Sequence, residues 1–114
     1  IYKDFTFEAA HKLPLVPDTH KCSKLHGHSF KVRISVEDEL SDLGWVIDYA
    51  DIKSACEPVI EVLDHSYLNE VPGLENPTSE NIAVWLWNEI QHKLAILSEV
   101  EVKETCNTGC IYRG

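Results

Sequence analysis

Residues 1–12 alternate. Phe5, Phe7, Ala9 and His11 share one parity, and Asp4, Thr6 and Glu8 share the other. Side chains alternate across a β-strand, so this pattern predicts a half-buried strand whose inner face ends in a histidine. Residues 26–37 repeat it, with His26, His28, Phe30, Val32, Ile34 and Val36 on one face and Ser29, Lys31, Arg33, Ser35 and Glu37 on the other. Between the two, Leu13 to Leu25 carries Pro14, Pro17, Asp18 and Ser23 and reads as a long loop. An antiparallel hairpin sets the end of the first strand beside the start of the second. His11, His26 and His28 then converge at one end of the apolar face.

Ser41-Asp42-Leu43-Gly44 predicts a turn and Trp45-Val46-Ile47 a short strand. Asp48 is placed to cap a helix running to about Leu63, with Ile52, Ala55, Cys56, Val59, Ile60 and Leu63 at helical spacing. Pro58 conflicts with that helix. An interior proline costs about 3 kcal/mol, which predicts a kink or a restart. A loop containing Asn69, Pro72, Gly73, Asn76 and Pro77 leads to a second helix capped by Thr78, with Glu80 in its first turn. Ile82, Trp85, Leu86, Ile90, Leu94 and Leu97 form its buried stripe. Strands at Glu99 to Thr105 and Gly109 to Arg113 close the chain. The order ββααββ predicts one α+β domain over residues 1–114, with two helices on one face of a four-stranded antiparallel sheet. An open sheet leaves two unpaired edges, which points to assembly through strand edges.

Composition narrows the function. The chain has 114 residues and shows no internal repeat, and 44% hydrophobic residues are enough for a core. No apolar run approaches the roughly 20 residues needed to cross a bilayer, and no signal-peptide pattern opens the chain. The chain contains no Met and begins at Ile1, so residues are expected before it. A net charge of −9 repels phosphate backbones and anionic lipid, which argues against generic nucleic-acid and membrane binding. A small anionic substrate remains open if a local cluster of Lys or Arg receives it. Four cysteines allow two disulfides, but without a secretory signal reduced thiols and a cytoplasmic location are expected.

Three converging imidazoles suit zinc first, at about 2.0–2.1 Å per bond, and leave a fourth position for water or substrate. Other metals that accept nitrogen ligands fit the same set. The alternative is three hydrogen-bonded histidines at strand ends. Cys22 lies four positions before His26. Near a cation its thiol serves as base or nucleophile; it could equally be a fourth ligand or a plain loop cysteine. Asp64-His65 follows the first helix and reads either as a tuned proton shuttle or as a solvated helix end. Glu104 shares the parity of Val100 and Val102, which aims a carboxylate toward an apolar side. It needs a bidentate partner such as an Arg or a guanidine-like ring edge, or an escape to solvent. Cys56 reads as core, Cys106 and Cys110 lack metal-site spacing, and His20 and His92 read as solvated.

Together, Phe7-Glu8-Ala9-Ala10-His11, Cys22-Ser23-Lys24-Leu25-His26-Gly27-His28, Leu63-Asp64-His65, Asn76-Pro77-Thr78-Ser79-Glu80 and Lys103-Glu104-Thr105 resemble the 6-pyruvoyl-tetrahydropterin synthase superfamily. Within it they look most like the queuosine-pathway branch, the 6-carboxy-5,6,7,8-tetrahydropterin synthases. The motifs span nearly the whole chain in order. The three-residue interval between Cys22 and His26 is the carboxy branch's spacing. The resemblance implies the tunnelling fold (T-fold), in which three subunits join their sheets into a twelve-stranded barrel and two trimers stack, with active sites at subunit contacts. It implies Zn2+ on His11, His26 and His28, Cys22 as proton acceptor, and Asp64-His65 as the proton-transfer partner. Glu104 would grip the N2/N3 edge of a pterin and join the proton relay, and Thr78 and Ser79 would contact the ring's other polar atoms. The implied reaction converts 7,8-dihydroneopterin triphosphate and water to 6-carboxy-5,6,7,8-tetrahydropterin, acetaldehyde and triphosphate. The alternatives are the pyruvoyl branch, which retains the side chain, and a zinc-stabilised oligomeric binding module with no catalysis. Lys12, Lys21 and Lys24 are triphosphate candidates by proximity in sequence.

Overall fold

Strand β1 (Tyr2–His11) pairs antiparallel with β2 (His26–Val36) in unbroken register from Tyr2 opposite Ser35 to His11 opposite His26. In this computed structural model, which describes residues 1–114, the parity read from the sequence holds. Phe7, Ala9 and His11 of β1 and Phe30, Val32, Ile34 and Val36 of β2 are buried, and Phe7 stacks on Phe30 at 4.8 Å. The opposite face is polar. There Arg33 grips Asp4 at 2.7 and 2.9 Å, and the Ser29 hydroxyl donates to Glu8 at 2.7 Å.

Helix α1 (Tyr49–Leu63) begins where the Asp48 carboxylate accepts from the Ala50 N–H at 2.8 Å. It buries Ile52, Cys56, Val59, Ile60 and Leu63 against β1. Of the kink or restart predicted at Pro58, the restart does not occur: the helix runs through as one element. Pro58 and Ser54, whose carbonyl would have received the missing N–H, both lie on the exposed side, so that carbonyl is open to solvent rather than buried unpaired. Helix α2 (Ser79–Ile90) is capped by Thr78, whose side chain accepts from the Asn81 N–H at 3.2 Å. It covers β4 (Leu97–Lys103) and β5 (Cys110–Tyr112).

Three expectations are corrected. The sheet has five strands, ordered β3-β1-β2-β4-β5, because Ser66–Tyr67 forms a two-residue β3 parallel to β1. Trp45-Val46-Ile47 is not a strand: the Trp45 carbonyl accepts from the Ser41 N–H at 2.9 Å, folding the segment back on itself. Helix α2 stops at Ile90. Leu94 and Leu97 are buried from the following turns and the start of β4, because an apolar spacing of three or four fits a chain of turns as well as a helix. The core stands between the helices and one sheet face, and no helix is long and apolar enough to cross a membrane. The outer edge of β1 from Tyr2 to Glu8 has no neighbouring strand, and β5 is only three residues long.

Candidate active site

The register of β1 and β2 gathers His11, His26 and His28 at one end of the covered face, with one ligating nitrogen of each within 4.8 Å of the others. Phe30 sits beneath, edge-on to His11 at 5.5 Å and to His28 at 5.4 Å. Two loops then orient the rings. His11 Nδ1 donates to the Pro77 carbonyl at 2.8 Å, and His26 Nδ1 donates to the Lys24 carbonyl at 2.7 Å. A carbonyl only accepts, so each Nδ1 carries a hydrogen, and a ring in its neutral form then presents a bare Nε2. Those two Nε2 atoms face each other at 3.0 Å. Opposed lone pairs at that distance repel unless a cation lies between them. The Nε2 of His28 is buried and has no hydrogen-bond partner at all. His11 is 1% exposed, and burial pushes its pKa below the ordinary 6.5, which favours the neutral form a metal requires. The donor set, the backbone anchors and the orphaned nitrogen all fit a divalent ion of the zinc type.

Glu104, just past β4, faces two of the three rings. Its Oε1 lies 4.0 Å from His11 Nε2 and its Oε2 lies 3.7 Å from His28 Nε2. Ser79, the first residue of α2, donates to Glu104 Oε1 at 3.4 Å. The structure therefore brings Glu104 and Ser79 to the triad, whereas the Thr78 hydroxyl oxygen is engaged as the helix cap. Cys22 sits half-buried in a single 3-10 turn, Lys21–Ser23, on the loop that joins the two histidine-bearing strands. Its sulfur is not among the gathered donor atoms, which leaves the three-imidazole site open. Lys12, Lys21 and Lys24 are exposed on the same loop, and none has a carboxylate within 4.0 Å. His20 caps that turn, its Nδ1 accepting from the Cys22 N–H at 3.1 Å.

Asp64 and His65 are not among the gathered donor atoms. Asp64 ends α1 and accepts from the Glu8 N–H at 2.9 Å and from His65 Nδ1 at 3.0 Å. His65 adopts φ 57°, and its N–H donates to the Glu8 carbonyl at 2.6 Å, which turns the chain into β3. The His65 ring is 80% exposed. It borders a shallow depression of about 470 Å3 whose lining also includes Glu8, Gly27, Ser29 and the triad residue His28. The residues that sequence reasoning missed act through the backbone. Asn69 accepts from the Lys12 N–H at 3.0 Å and donates to the Lys12 carbonyl at 2.8 Å, tying its loop to the end of β1 and so bringing Pro77 to His11. A lone turn asparagine and two carbonyls carry no signal in a sequence.

A profile of the 6-pyruvoyl tetrahydropterin synthase family matches residues 1–114. The chain is 44% identical over 119 aligned positions to 6-carboxy-5,6,7,8-tetrahydropterin synthase of Synechocystis sp., covering 98% of this chain and 91% of that protein. It is 38% identical to the 6-pyruvoyl tetrahydrobiopterin synthase of Homo sapiens over 78% of this chain and 66% of that one. The solved structure of Caenorhabditis elegans 6-pyruvoyl tetrahydropterin synthase superposes with a TM-score of 0.91 at 25% identity, covering 100% of this chain and 94% of that chain. The chain thus belongs to the 6-pyruvoyl tetrahydropterin synthase family and has its T-fold. It is an enzyme of the lyase class, and its near-full-length likeness runs to relatives named 6-carboxy-5,6,7,8-tetrahydropterin synthase.

The Asp64 environment generates a pH prediction. The Glu8 N–H, and after it His65, hold the Asp64 carboxyl below its ordinary 3.8. A lowered folded-state pKa means that the unfolded chain binds more protons, so the stabilisation is present above 3.8 and is lost as pH falls through the lowered value. Asp64→Asn keeps an acceptor for the Glu8 N–H but loses the charge. Melting curves across pH are expected to place the variant below the wild type at neutral pH, with the gap closing in acid. A gap that stays constant with pH contradicts this.

Proposed function

We propose that the chain is a zinc-dependent enzyme converting 7,8-dihydroneopterin triphosphate and water to 6-carboxy-5,6,7,8-tetrahydropterin, acetaldehyde and triphosphate, in queuosine (7-deazapurine) biosynthesis in the cytoplasm. The observation that carries the reading is the set of three converging imidazole nitrogens with a carboxylate facing two of them. Zinc held by His11, His26 and His28 would supply Lewis acidity toward the hydroxyl oxygens of the substrate's side chain. The two oxygens of Glu104 match the paired N–H donors of the pterin N2/N3 edge, with Ser79 beside them and Thr78 at the helix start for the ring's remaining polar atoms. Cys22 accepts a proton from the activated side chain. Asp64 accepts from His65 Nδ1, which fixes the tautomer and leaves Nε2 free to move a second proton. Lys12, Lys21 and Lys24 receive the triphosphate.

His65 faces the polar side of the sheet and the triad faces the covered side, so His65 serves the site of a neighbouring copy. The bare edge of β1 and the short β5 support a homo-oligomer built by edge pairing, a trimer or a dimer of trimers. The pyruvoyl branch is the second reading, favoured by the likeness to the human protein of that name; a zinc-stabilised binding module is the non-enzymatic one.

Mass spectrometry of the products from 7,8-dihydroneopterin triphosphate is expected to find acetaldehyde and a one-carbon acid on the ring. A retained three-carbon side chain overturns the carboxy reading, and no turnover at all favours the binding module. Cys22→Ala is expected to keep its metal and lose about 10²–10⁴-fold in turnover, the usual weight of a proton-transfer group. Loss of metal instead makes the thiol a ligand. Co-assembled Cys22→Ala and His65→Ala subunits are expected to recover part of the activity that each lacks alone. No recovery places His65 in its own chain's site.

A further inference from the structure

We propose that His20 is a positioning residue for Cys22: its imidazole holds the turn that carries the thiol, and turnover depends on that hold. The inference rests on the proposed reading of Cys22 as a proton acceptor. Little else secures this loop. No residue from Lys12 to Leu25 is buried, and Leu15 and Leu25 stand 80% and 63% exposed. Without an apolar anchor, hydrogen bonds set the loop's shape, and they close on Cys22. Its N–H donates to His20 Nδ1 at 3.1 Å, and its carbonyl accepts from the N–H of Leu13, two residues past His11, at 2.8 Å. Further on, the Lys24 N–H donates to the Lys21 carbonyl at 3.3 Å, and the Lys24 carbonyl anchors the His26 ring at 2.7 Å. Cys22 is thereby tied to both strand ends that carry the triad, and His20 supplies the only side chain bonded to its backbone.

His20 is itself held in place. Its N–H donates to the Pro17 carbonyl at 2.8 Å, its carbonyl accepts from the Ser23 N–H at 3.0 Å, and the Ser23 hydroxyl donates to the Asp18 carbonyl at 3.0 Å. The ring therefore reaches Cys22 from a fixed backbone. The residue type points the same way. Asn, Asp, Ser and Thr are the usual caps at such a position. A backbone N–H only donates, so His20 Nδ1 is bare and the ring hydrogen is on Nε2. The imidazole thus caps the turn without carrying a charge. An aspartate there would set a negative charge two residues from the sulfur and oppose the thiolate that a proton acceptor needs. Asparagine is the neutral equivalent and therefore the control.

The test compares His20→Ala with His20→Asn, which keeps a neutral acceptor for the Cys22 N–H. His20→Ala is expected to lose about 10- to 100-fold in kcat, the cost of a small misplacement of a reacting group, with KM and zinc content within about twofold of the wild type. His20→Asn is expected to recover most of that loss. Added to Cys22→Ala, His20→Ala is expected to cost nothing further, because both act through one thiol. Equal kcat for His20→Ala and the wild type overturns the inference, as does failure of His20→Asn to recover activity or a full further loss in the double variant. The hold itself is read without turnover, from iodoacetamide alkylation of Cys22 relative to the exposed Cys106, followed by peptide mass. That ratio is expected to rise several-fold in His20→Ala and to stay at the wild-type value in His20→Asn; an unchanged ratio in His20→Ala overturns the hold. If Cys22→Ala keeps full activity, or the wild type turns nothing over, the reading of Cys22 falls and the alkylation ratio alone decides the His20 contact.

Discussion

The register of one strand pair sets everything else in place. Ten consecutive residue pairs lock β1 against β2, and the last of them is His11 with His26. Side chains alternate with a period of two, so a slip of one residue would send His26 and His28 to the polar face and take Phe30, Val32 and Ile34 out of the core with them. The stacked Phe7 and Phe30 oppose that slip from inside, and the Asp4–Arg33 and Glu8–Ser29 contacts oppose it from outside. Core packing and the meeting of the histidines are therefore one constraint. The hairpin cannot bury its apolar face without also bringing the imidazoles together.

Ring orientation is a second layer, supplied by loops that the rest of the fold holds still. Pro77 immediately precedes the cap of α2, so the burial of Ile82, Ala83, Leu86 and Ile90 determines where its carbonyl points. Asn69 clamps the same region to Lys12, next to His11. The Lys24 carbonyl anchors His26 from the other side. Each anchor fixes a tautomer at one nitrogen and thereby bares the other. A chain that only needed three strand-end histidines for stability would gain from turning those bare nitrogens toward donors; here two oppose each other and one has no partner.

Much of this was legible in the residues because strict alternation and helix caps are strong local signals. The parity of Phe5 to His11 and of His26 to Val36 gave the hairpin and the triad, Asp48 and Thr78 marked both helix starts, and the parity of Glu104 with Val100 and Val102 aimed its carboxylate correctly. What escaped was of two kinds. Ser66–Tyr67 is too short to show a period, and its pairing depends on the left-handed turn at His65 rather than on its own sequence. Trp45 to Ile47 looked like a strand because apolar runs do, yet no ladder partner is available to it. The surroundings of Asp64-His65, from the Glu8 backbone to the left-handed turn, belong to the third dimension, where adjacency in a motif set says nothing about what a residue touches.

Anomalous X-ray diffraction at the zinc edge, from crystals of protein purified without chelators, tests the metal centre most directly. The expected result is one strong peak per chain within bonding distance of Nε2 on His11, His26 and His28. Crystals with no anomalous density among those three rings, the imidazoles satisfied by protein and water alone, would contradict it.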